Sequence, residues 1–280
     1  MSAPLRLAIG QTRVTTDPQR NGATIRAAMR AAAAAGAQLI QLPEGALTGY
    51  VGPAKRHYAG WRIDWTPVTE QLEGTMALAA ELGIWVVVGG NHRLTGDHRP
   101  HNSLWVISGR GELIDRYDKR YLSHNEVTGF YTPGTQARVV EVDGWRLGLL
   151  ICIEVNFPEL WMELEELEVD AVLFSTFSED PIFEVIARGY AATHGFWIST
   201  ALPAQCAASM PSSLIGPDGT VLRQAAADGE DLVITDLDRD DPAFNIALTK
   251  ARPWRRAARA GDIYRAARID DPRSTDRTCI

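Results

Sequence analysis

The sequence is poor in lysine and cysteine, and it lacks the features of several protein classes. Its 280 residues carry a net charge of −7, whereas proteins that coat nucleic acid normally present a basic face. No apolar run reaches the roughly 18 residues of a membrane span. No charged start precedes an apolar core and a small-residue cleavage site. We therefore expect a cytoplasmic protein with neither a nucleic-acid nor a membrane partner.

The cysteine content and the placement of glycine and proline indicate the cellular compartment and the domain organisation. The cysteines are Cys152, Cys206 and Cys279, an odd number without the spacing of metal ligands, which fits a reducing compartment better than a disulfide scaffold. We predict no metal site and no cofactor. Glycine and proline are scattered as turn residues rather than gathered into a linker. We predict a single domain over residues 1–280, with a C-terminal arm from about residue 251 that has few apolar residues.

Strand-like runs alternate with helical patterns along the chain. Strands are predicted at Leu5 to Ile9, Ala37 to Leu42, Ile84 to Val88, Leu104 to Ile107, Val139 to Val142, Trp145 to Ile151, Ala171 to Phe174, Phe196 to Thr200 and Leu232 to Thr235. Helices are predicted from Ile25 to a cap at Gly36, from Thr66 to Leu82, around Leu160 to Leu167, and from Ile182 to Thr193. The alternation indicates βαβ units. Two-residue hairpin turns fit Asp143-Gly144 and Asp218-Gly219, so we predict a layered α/β domain with a mixed sheet.

One apolar strand ends at Cys152, and a proline-started helix follows soon after it. The segment Gly148 to Glu159 places the thiol near a helix N-terminus, where the helix dipole favours a thiolate. A lone cysteine in an apolar strand is more often buried and structural. Two other segments favour a reactive cysteine, because Glu44 ends a strand-like run and Lys119 follows a short strand. Lysine is scarce beside the many arginines, which hints that a compact charge is needed at position 119.

In that order, Glu44, Lys119 and Cys152 resemble the Glu-Lys-Cys triad of the carbon-nitrogen hydrolase (nitrilase) superfamily. The resemblance runs through most of the chain, in the segments Leu5 to Gln11, Leu42-Pro43-Glu44, His101-Asn102-Ser103, Tyr131 to Gly134, Cys152 with Phe157-Pro158-Glu159, and Gly216 to Gly219. It implies a four-layer αββα sandwich and a homodimer or larger homo-oligomer. It also implies a small-molecule amide or ureido substrate.

The resemblance assigns a role to each residue. Glu44 acts as general base and acid, and Cys152 adds to the substrate carbon. Lys119 stabilises the oxyanion together with the backbone N–H that follows Cys152, that of Ile153. Family members often carry a second glutamate that orients the lysine, and Glu126 is the candidate here. We expect His194 to border the pocket without a catalytic role.

Three departures from the family pattern bear on the reaction. Tyr121 stands where many members have histidine, and Ala191 to His194 replaces an Ala-x-Glu-Asn-like element. Nitrile-cleaving members typically show Cys-Trp-Glu, whereas this chain has Cys152-Ile153-Glu154, which is closer to amidase-like branches. We therefore predict hydrolysis of a small linear amide through a cysteine thioester, giving a carboxylic acid and ammonia or an amine.

Three alternatives stay open at this point. The first is hydrolysis of an N-carbamoyl amino acid, which needs an arginine for the substrate carboxylate, and Arg188 is a candidate. The second is nitrile hydrolysis. The third is a non-catalytic scaffold role, which loss of a triad residue would favour; all three residues are present.

Overall fold

A computed structural model of the chain describes residues 3–50 and 63–278. The strands in this part are β1 (Leu5–Gln11), β2 (Leu39–Gln41), β3 (Trp85–His92), β4 (His101–Ile107), β5 (Leu113–Asp118), β6 (Val139–Val142), β7 (Trp145–Ile151), β8 (Ala171–Ser175), β9 (Trp197–Ala201), β10 (Ser213–Ile215), β11 (Val221–Gln224) and β12 (Asp231–Leu237). The α-helices are α1 (Pro18–Ala34), α2 (Trp65–Leu82), α3 (Pro158–Glu166), α4 (Ile182–His194), α5 (Arg252–Ala260), α6 (Asp262–Ala267) and α7 (Pro272–Thr275). None of these helices is long and apolar enough to span a bilayer.

The strands form two mixed sheets of six strands each. The first has the order β12-β1-β2-β3-β4-β5 and the second the order β11-β10-β9-β8-β7-β6. Strands β1, β2 and β3 run parallel in the first sheet, as do β7, β8 and β9 in the second. The remaining neighbours are antiparallel. The mixed sheets confirm the α/β prediction.

Side-chain alternation along the strands builds four layers. On β4, Leu104 and Val106 belong to the core between the sheets, whereas Trp105 and Ile107 pack in a second cluster with residues of α1 and α2. Helices α3 and α4 supply residues to the core around the second sheet. Burial of each such aliphatic side chain contributes about 1.5–3 kcal/mol. The layers are helix, sheet, sheet, helix, which confirms the predicted αββα sandwich.

The predicted turns are right in position and partly wrong in length. Asp143 and Gly144 both have positive φ, 50° and 79°, as a two-residue type I′ hairpin between β6 and β7 requires. The second hairpin is longer than predicted. Its turn is closed by Gly219 N–H donating to Gly216 O at 2.8 Å, and Gly219 has φ +84°. The flanking β10 and β11, of three and four residues, are not predicted as strands.

Helix α5, which begins the segment after residue 251, lies against α3 and α4 of the same chain. Arg252 Nη2 donates to Val169 O at 2.5 Å, and Arg256 pairs with Glu168 at 2.5 Å. Arg259 pairs with Glu165, which is buried at the end of α3. The basic side chains of α5 are therefore engaged by acids and carbonyl groups of the outer helical layer.

Candidate active site

Glu44 lies in the loop that follows β2, with its side chain buried. The loop crosses β3 at Gly89, where a Cβ atom would stand 2.2 Å from Pro43 O and 2.9 Å from Glu44 Cα. Any side chain at position 89 would push the loop away. The close approach of Gly89 therefore fixes where Glu44 leaves the sheet.

Lys119 follows β5 directly, and its backbone is held from both sides. Its N–H donates to Asn102 O and its carbonyl accepts from Gly134 N–H, each at 2.8 Å. A Cβ at Gly134 would stand 2.2 Å from Asp118 O, so the Pro133-Gly134 turn needs glycine to pack here. The Lys119 side chain has no exposed surface, and its ammonium must find partners within the protein.

Two carboxylates receive the Lys119 ammonium. Nζ donates to Glu126 Oε1 at 2.8 Å and to Glu44 Oε1 at 3.1 Å. Glu126 begins a single π-helical turn, Glu126–Phe130, and only 2% of its surface is exposed. Its Oε2 accepts the Ser123 N–H at 2.8 Å, and Tyr50 OH donates to its Oε1 at 3.2 Å. The structure thus brings Glu44, Lys119 and Glu126 together.

Two further donors orient the Glu44 carboxylate. Asn102 Nδ2 donates to Oε1 and the Phe177 N–H donates to Oε2, each at 2.7 Å. Charge-assisted bonds of this length are among the stronger ones in proteins. The sequence predicts no role for either residue. Asn102 belongs to the His101-Asn102-Ser103 segment of the family resemblance, and a backbone donor such as the Phe177 N–H cannot be recognised from residue type.

Cys152 follows the last residue of β7 in a strained backbone conformation. Its φ is +54°, which non-glycine residues adopt rarely and often at functional sites. It begins a short 3₁₀ helix, Cys152–Asn156, and α3 begins only at Pro158. The half-buried Ile153 is in the first turn of this short helix, where N–H groups have no acceptor within the helix.

The thiol environment corrects the expectation of a resting thiolate. Burial raises the pKa of Cys152, and the negative charge of Glu44 raises it further, while Lys119 acts in the opposite direction. The net effect is a pKa well above the usual thiol value. The prediction was wrong because the sulfur is buried rather than partly exposed, and because Cys152 begins a short 3₁₀ helix while α3 begins only at Pro158. At rest, Cys152 is therefore a neutral thiol.

The ammonium and Glu126 are both held in their charged forms. Burial by itself would lower the pKa of Lys119, but Glu44 and Glu126 outweigh it and hold that pKa well above its ordinary value. Burial would raise the pKa of Glu126, yet the Lys119 ammonium holds it below its ordinary value. The site therefore keeps a permanent positive charge beside a neutral thiol.

Glu154 links the segment that carries Lys119 to the segment that carries Cys152. Its Oε1 accepts from Tyr117 OH and the Arg120 N–H, each at 2.7 Å, and its Oε2 accepts from the Ile151 N–H at 2.8 Å. The side chain is fully buried. The sequence predicts no role for Glu154, because most of the donors that its carboxylate meets come from another part of the chain.

The structure does not bring His194 to this site. His194 precedes β9 at its amino end, whereas Cys152 follows the carboxyl end of β7, and β7, β8 and β9 are parallel. The two residues therefore lie at opposite edges of the sheet. His194 Nδ1 pairs with Glu165 Oε2 at 2.5 Å, and its ring stacks on Phe196 at 5.3 Å. Its role is in the packing of the outer layer.

Arg188 also lies outside this site. Its Nε donates to Gly219 O at 2.9 Å, at the hairpin between β10 and β11. Across residues 3–50 and 63–278, no group of three or more His, Cys, Asp or Glu side chains is placed to hold a metal ion. The two glutamates that converge in the site share a lysine instead.

Comparisons with known proteins point to one family. The family described as carbon-nitrogen hydrolase matches residues 6–243. A Mycobacterium tuberculosis protein named Hydrolase Rv0480c is 30% identical over 274 residues, covering 85% of this chain and 91% of its own length. Deaminated glutathione amidase of Mus musculus is 26% identical, covering 83% and 77%.

A solved structure shares the fold at low sequence identity. It is a mutant of the amidase from Nesterenkonia sp. AN1, with the acetamide moiety of fluoroacetamide added covalently at its active-site cysteine. It superposes with a TM-score of 0.75 at 22% identity, covering 91% of this chain and 96% of that chain.

Proposed function

The chain belongs to the carbon-nitrogen hydrolase family, and from that premise we propose that it hydrolyses a small linear amide through a thioester on Cys152. The products are a carboxylic acid and ammonia or an amine. One observation carries the proposal. A fully buried lysine is held between two glutamates, at 2.8 and 3.1 Å, within electrostatic reach of a buried cysteine in a strained turn.

Acylation begins with a proton transfer. Because the thiol is neutral at rest, Glu44 takes its proton as the sulfur adds to the carbonyl carbon of the amide. The electron pair of the carbonyl bond moves to oxygen. The Lys119 ammonium stabilises that oxyanion together with the Ile153 N–H, and one such preorganised donor is worth about 3 kcal/mol.

The remaining steps use the same groups. Protonated Glu44 gives its proton to the departing nitrogen, the carbon–nitrogen bond breaks, and a thioester remains on Cys152. Glu44 then takes a proton from water as the water oxygen adds to the thioester carbon. Collapse of this second intermediate breaks the carbon–sulfur bond, releases the acid and returns the proton to sulfur. Glu126 has no proton to transfer in this scheme, and it keeps Lys119 charged and in place.

Several observations favour amides over the alternatives. An N-carbamoyl amino acid substrate needs an arginine, and the candidate Arg188 instead donates to Gly219 O at the β10–β11 hairpin. The mouse relative is named an amidase, as is the solved neighbour. A scaffold role does not explain why an ammonium, two carboxylates and a thiol are buried together, since burying charged groups is costly.

Ammonia release tests the proposal. The protein would be assayed with ω-amides, N-carbamoyl amino acids, aliphatic amides and nitriles, in parallel with C152A and with C206A as a matched control. Cys206 is also a buried thiol, but it lies in the short helix Ala204–Cys206 after β9. We expect release from at least one amide by the wild type and C206A, and none by C152A. Release by C152A, or silence across the panel with no thioester by mass spectrometry, would contradict the proposal.

We also propose a homodimer or larger homo-oligomer. Ile182 and Val185 on α4 are 46% and 59% exposed, and neighbouring apolar side chains of this kind often mark an interface. Light scattering coupled to size exclusion would give a multiple of the 30.7 kDa chain mass. A mass equal to one chain at micromolar concentration would contradict this assembly.

A further inference from the structure

Thr176 is placed beside the nucleophile by the pairing of two parallel strands. In the register of β7 with β8, Ile151 is the partner of Ser175. The residues that follow these two strands, Cys152 and Thr176, therefore lie at the same edge of the sheet. The Thr176 N–H donates to Ala201 O at 3.0 Å. The backbone of Thr176 is therefore fixed where its side chain can reach the sulfur.

The Thr176 hydroxyl differs from the polar groups around it. Its oxygen is fully buried and makes no hydrogen bond of normal geometry. Its neighbours on the chain are satisfied, since Ser175 Oγ donates to Leu42 O at 2.8 Å and the Phe177 N–H donates to Glu44. Leaving a buried hydroxyl without a partner costs free energy, and such groups in native proteins call for an explanation.

We infer that Thr176 is a further catalytic residue, whose hydroxyl donates a hydrogen bond to Cys152 Sγ whenever negative charge develops on the sulfur. The inference rests on the proposed function. The charge develops first as the thiol proton passes to Glu44 and the sulfur–carbon bond forms. It develops again as the carbon–sulfur bond breaks during hydrolysis of the thioester. Thr176 keeps its own proton throughout.

This role requires a Thr176 hydroxyl that has no strong acceptor in the resting enzyme. A neutral thiol is a weak acceptor and a thiolate is a strong one, so the bond gains strength only in the charged states. A donor of this kind lowers barriers without stabilising the resting enzyme. Burial, Glu44 and Glu126 raise the pKa of Cys152, whereas Lys119 and a hydrogen bond from the Thr176 hydroxyl to the charged sulfur lower it.

Alkylation of Cys152 by iodoacetamide as a function of pH tests the inference directly. The rate would be followed by mass spectrometry of the Cys152 peptide in the wild type, T176V and T176S. Valine keeps the shape and removes the donor, whereas serine keeps the donor. We expect T176V to be alkylated about tenfold to a hundredfold more slowly at neutral pH, so that it reaches a given alkylation rate only at a pH at least about one unit higher than the wild type. T176S should stay within about threefold of the wild type.

Thr200 on β9 supplies the matched control. It is also fully buried, but its hydroxyl accepts the Ser213 N–H at 2.9 Å. T200V should lose thermal stability and keep the wild-type alkylation profile. A wild-type profile for T176V, or an equal shift in T200V, would overturn the inference.

Alkylation requires no amide turnover, so the two proposals fail separately. If the wild type hydrolyses amides and T176V shows the wild-type alkylation profile, the role of Thr176 is overturned and the proposed function stands. If no amide is hydrolysed and T176V still shifts the profile, the hydrogen bond to sulfur stands and the proposed function fails. With an active substrate, T176V should lower kcat by a similar factor and leave KM within about twofold.

Discussion

Replacing Glu126 with glutamine removes one of the two negative charges that hold Lys119. Its carboxylate accepts from Lys119 Nζ at 2.8 Å and from the Ser123 N–H at 2.8 Å, through different oxygens. Glutamine has one acceptor and one donor in these places. If its oxygen faces Lys119, its amide group meets the Ser123 N–H, donor to donor. E126Q therefore cannot satisfy both neighbours.

The expected loss of kcat in E126Q can be estimated from these two contacts. A hydrogen bond to a charged group contributes about 1.5–3 kcal/mol, which corresponds to about tenfold to a hundredfold in kcat if Lys119 is mispositioned in the transition state. The two carboxylates and one ammonium leave one negative charge in excess beside Cys152, and E126Q removes it. Glu126 raises the pKa of that thiol, so its loss should leave alkylation of Cys152 as fast as in the wild type or faster.

Steady-state ammonia release and iodoacetamide labelling together make the assay. We expect E126Q to lose amide hydrolysis and to retain thiol reactivity, with kcat more affected than KM. A control variant, E163Q, changes an acid of α3 that pairs with Arg120 outside the Lys119 cluster, and it should hydrolyse amides normally. Wild-type kcat in E126Q, or parallel loss of hydrolysis and alkylation in a folded protein, would refute the reasoning.

The remaining predictions concern the stability of the fold and the position of His194 outside the site. E154A should lower the free energy of unfolding, measured in urea, by about 3 kcal/mol, because it leaves several buried donors unpaired. A loss below about 0.5 kcal/mol would contradict the structural link that Glu154 makes between the Lys119 and Cys152 segments. The folded pKa of Glu126 lies below its ordinary value because of Lys119. Glu126 should therefore stabilise the fold above about pH 4.5 and lose that contribution as pH falls through the folded value, so E126Q should flatten this acid limb of the unfolding curve. H194A should lower the melting temperature and keep kcat within about twofold, and a tenfold loss would place His194 in the site after all.

The fold was predictable because local pattern and burial agree. In β7 the predicted and observed bounds coincide from Trp145 to Ile151, since an apolar run with a turn on each side has few other solutions. The hairpin at Asp143-Gly144 follows from the φ values that these residue types tolerate. Strands β10 and β11 were not predicted, because pairing with neighbours, rather than their own pattern, makes them strands.

The site was only partly predictable, for a related reason. Glu44, Lys119 and Cys152 each follow a strand, which residue order and type can indicate. The edge of the sheet at which a residue lies depends on strand direction, which residue type does not give. For this reason the prediction that His194 borders the pocket was wrong. The environment of the thiol depends on what surrounds it in three dimensions, so its raised pKa was not foreseen. That the Thr176 hydroxyl lies beside Cys152 can be inferred only once the register of β7 and β8 is known.

Labelling with fluoroacetamide tests the central claim most directly, that Cys152 is an activated nucleophile for amides. Fluoride is a poor leaving group, so this small primary amide should react only where a site binds the amide and activates the thiol. We predict that fluoroacetamide reacts at Cys152 in the wild type, either with release of ammonia or with formation of one acetamide adduct per chain, and that C152A shows neither. Equal labelling of Cys206 and Cys152, or neither ammonia release nor adduct while iodoacetamide still reacts with Cys152, would contradict the account.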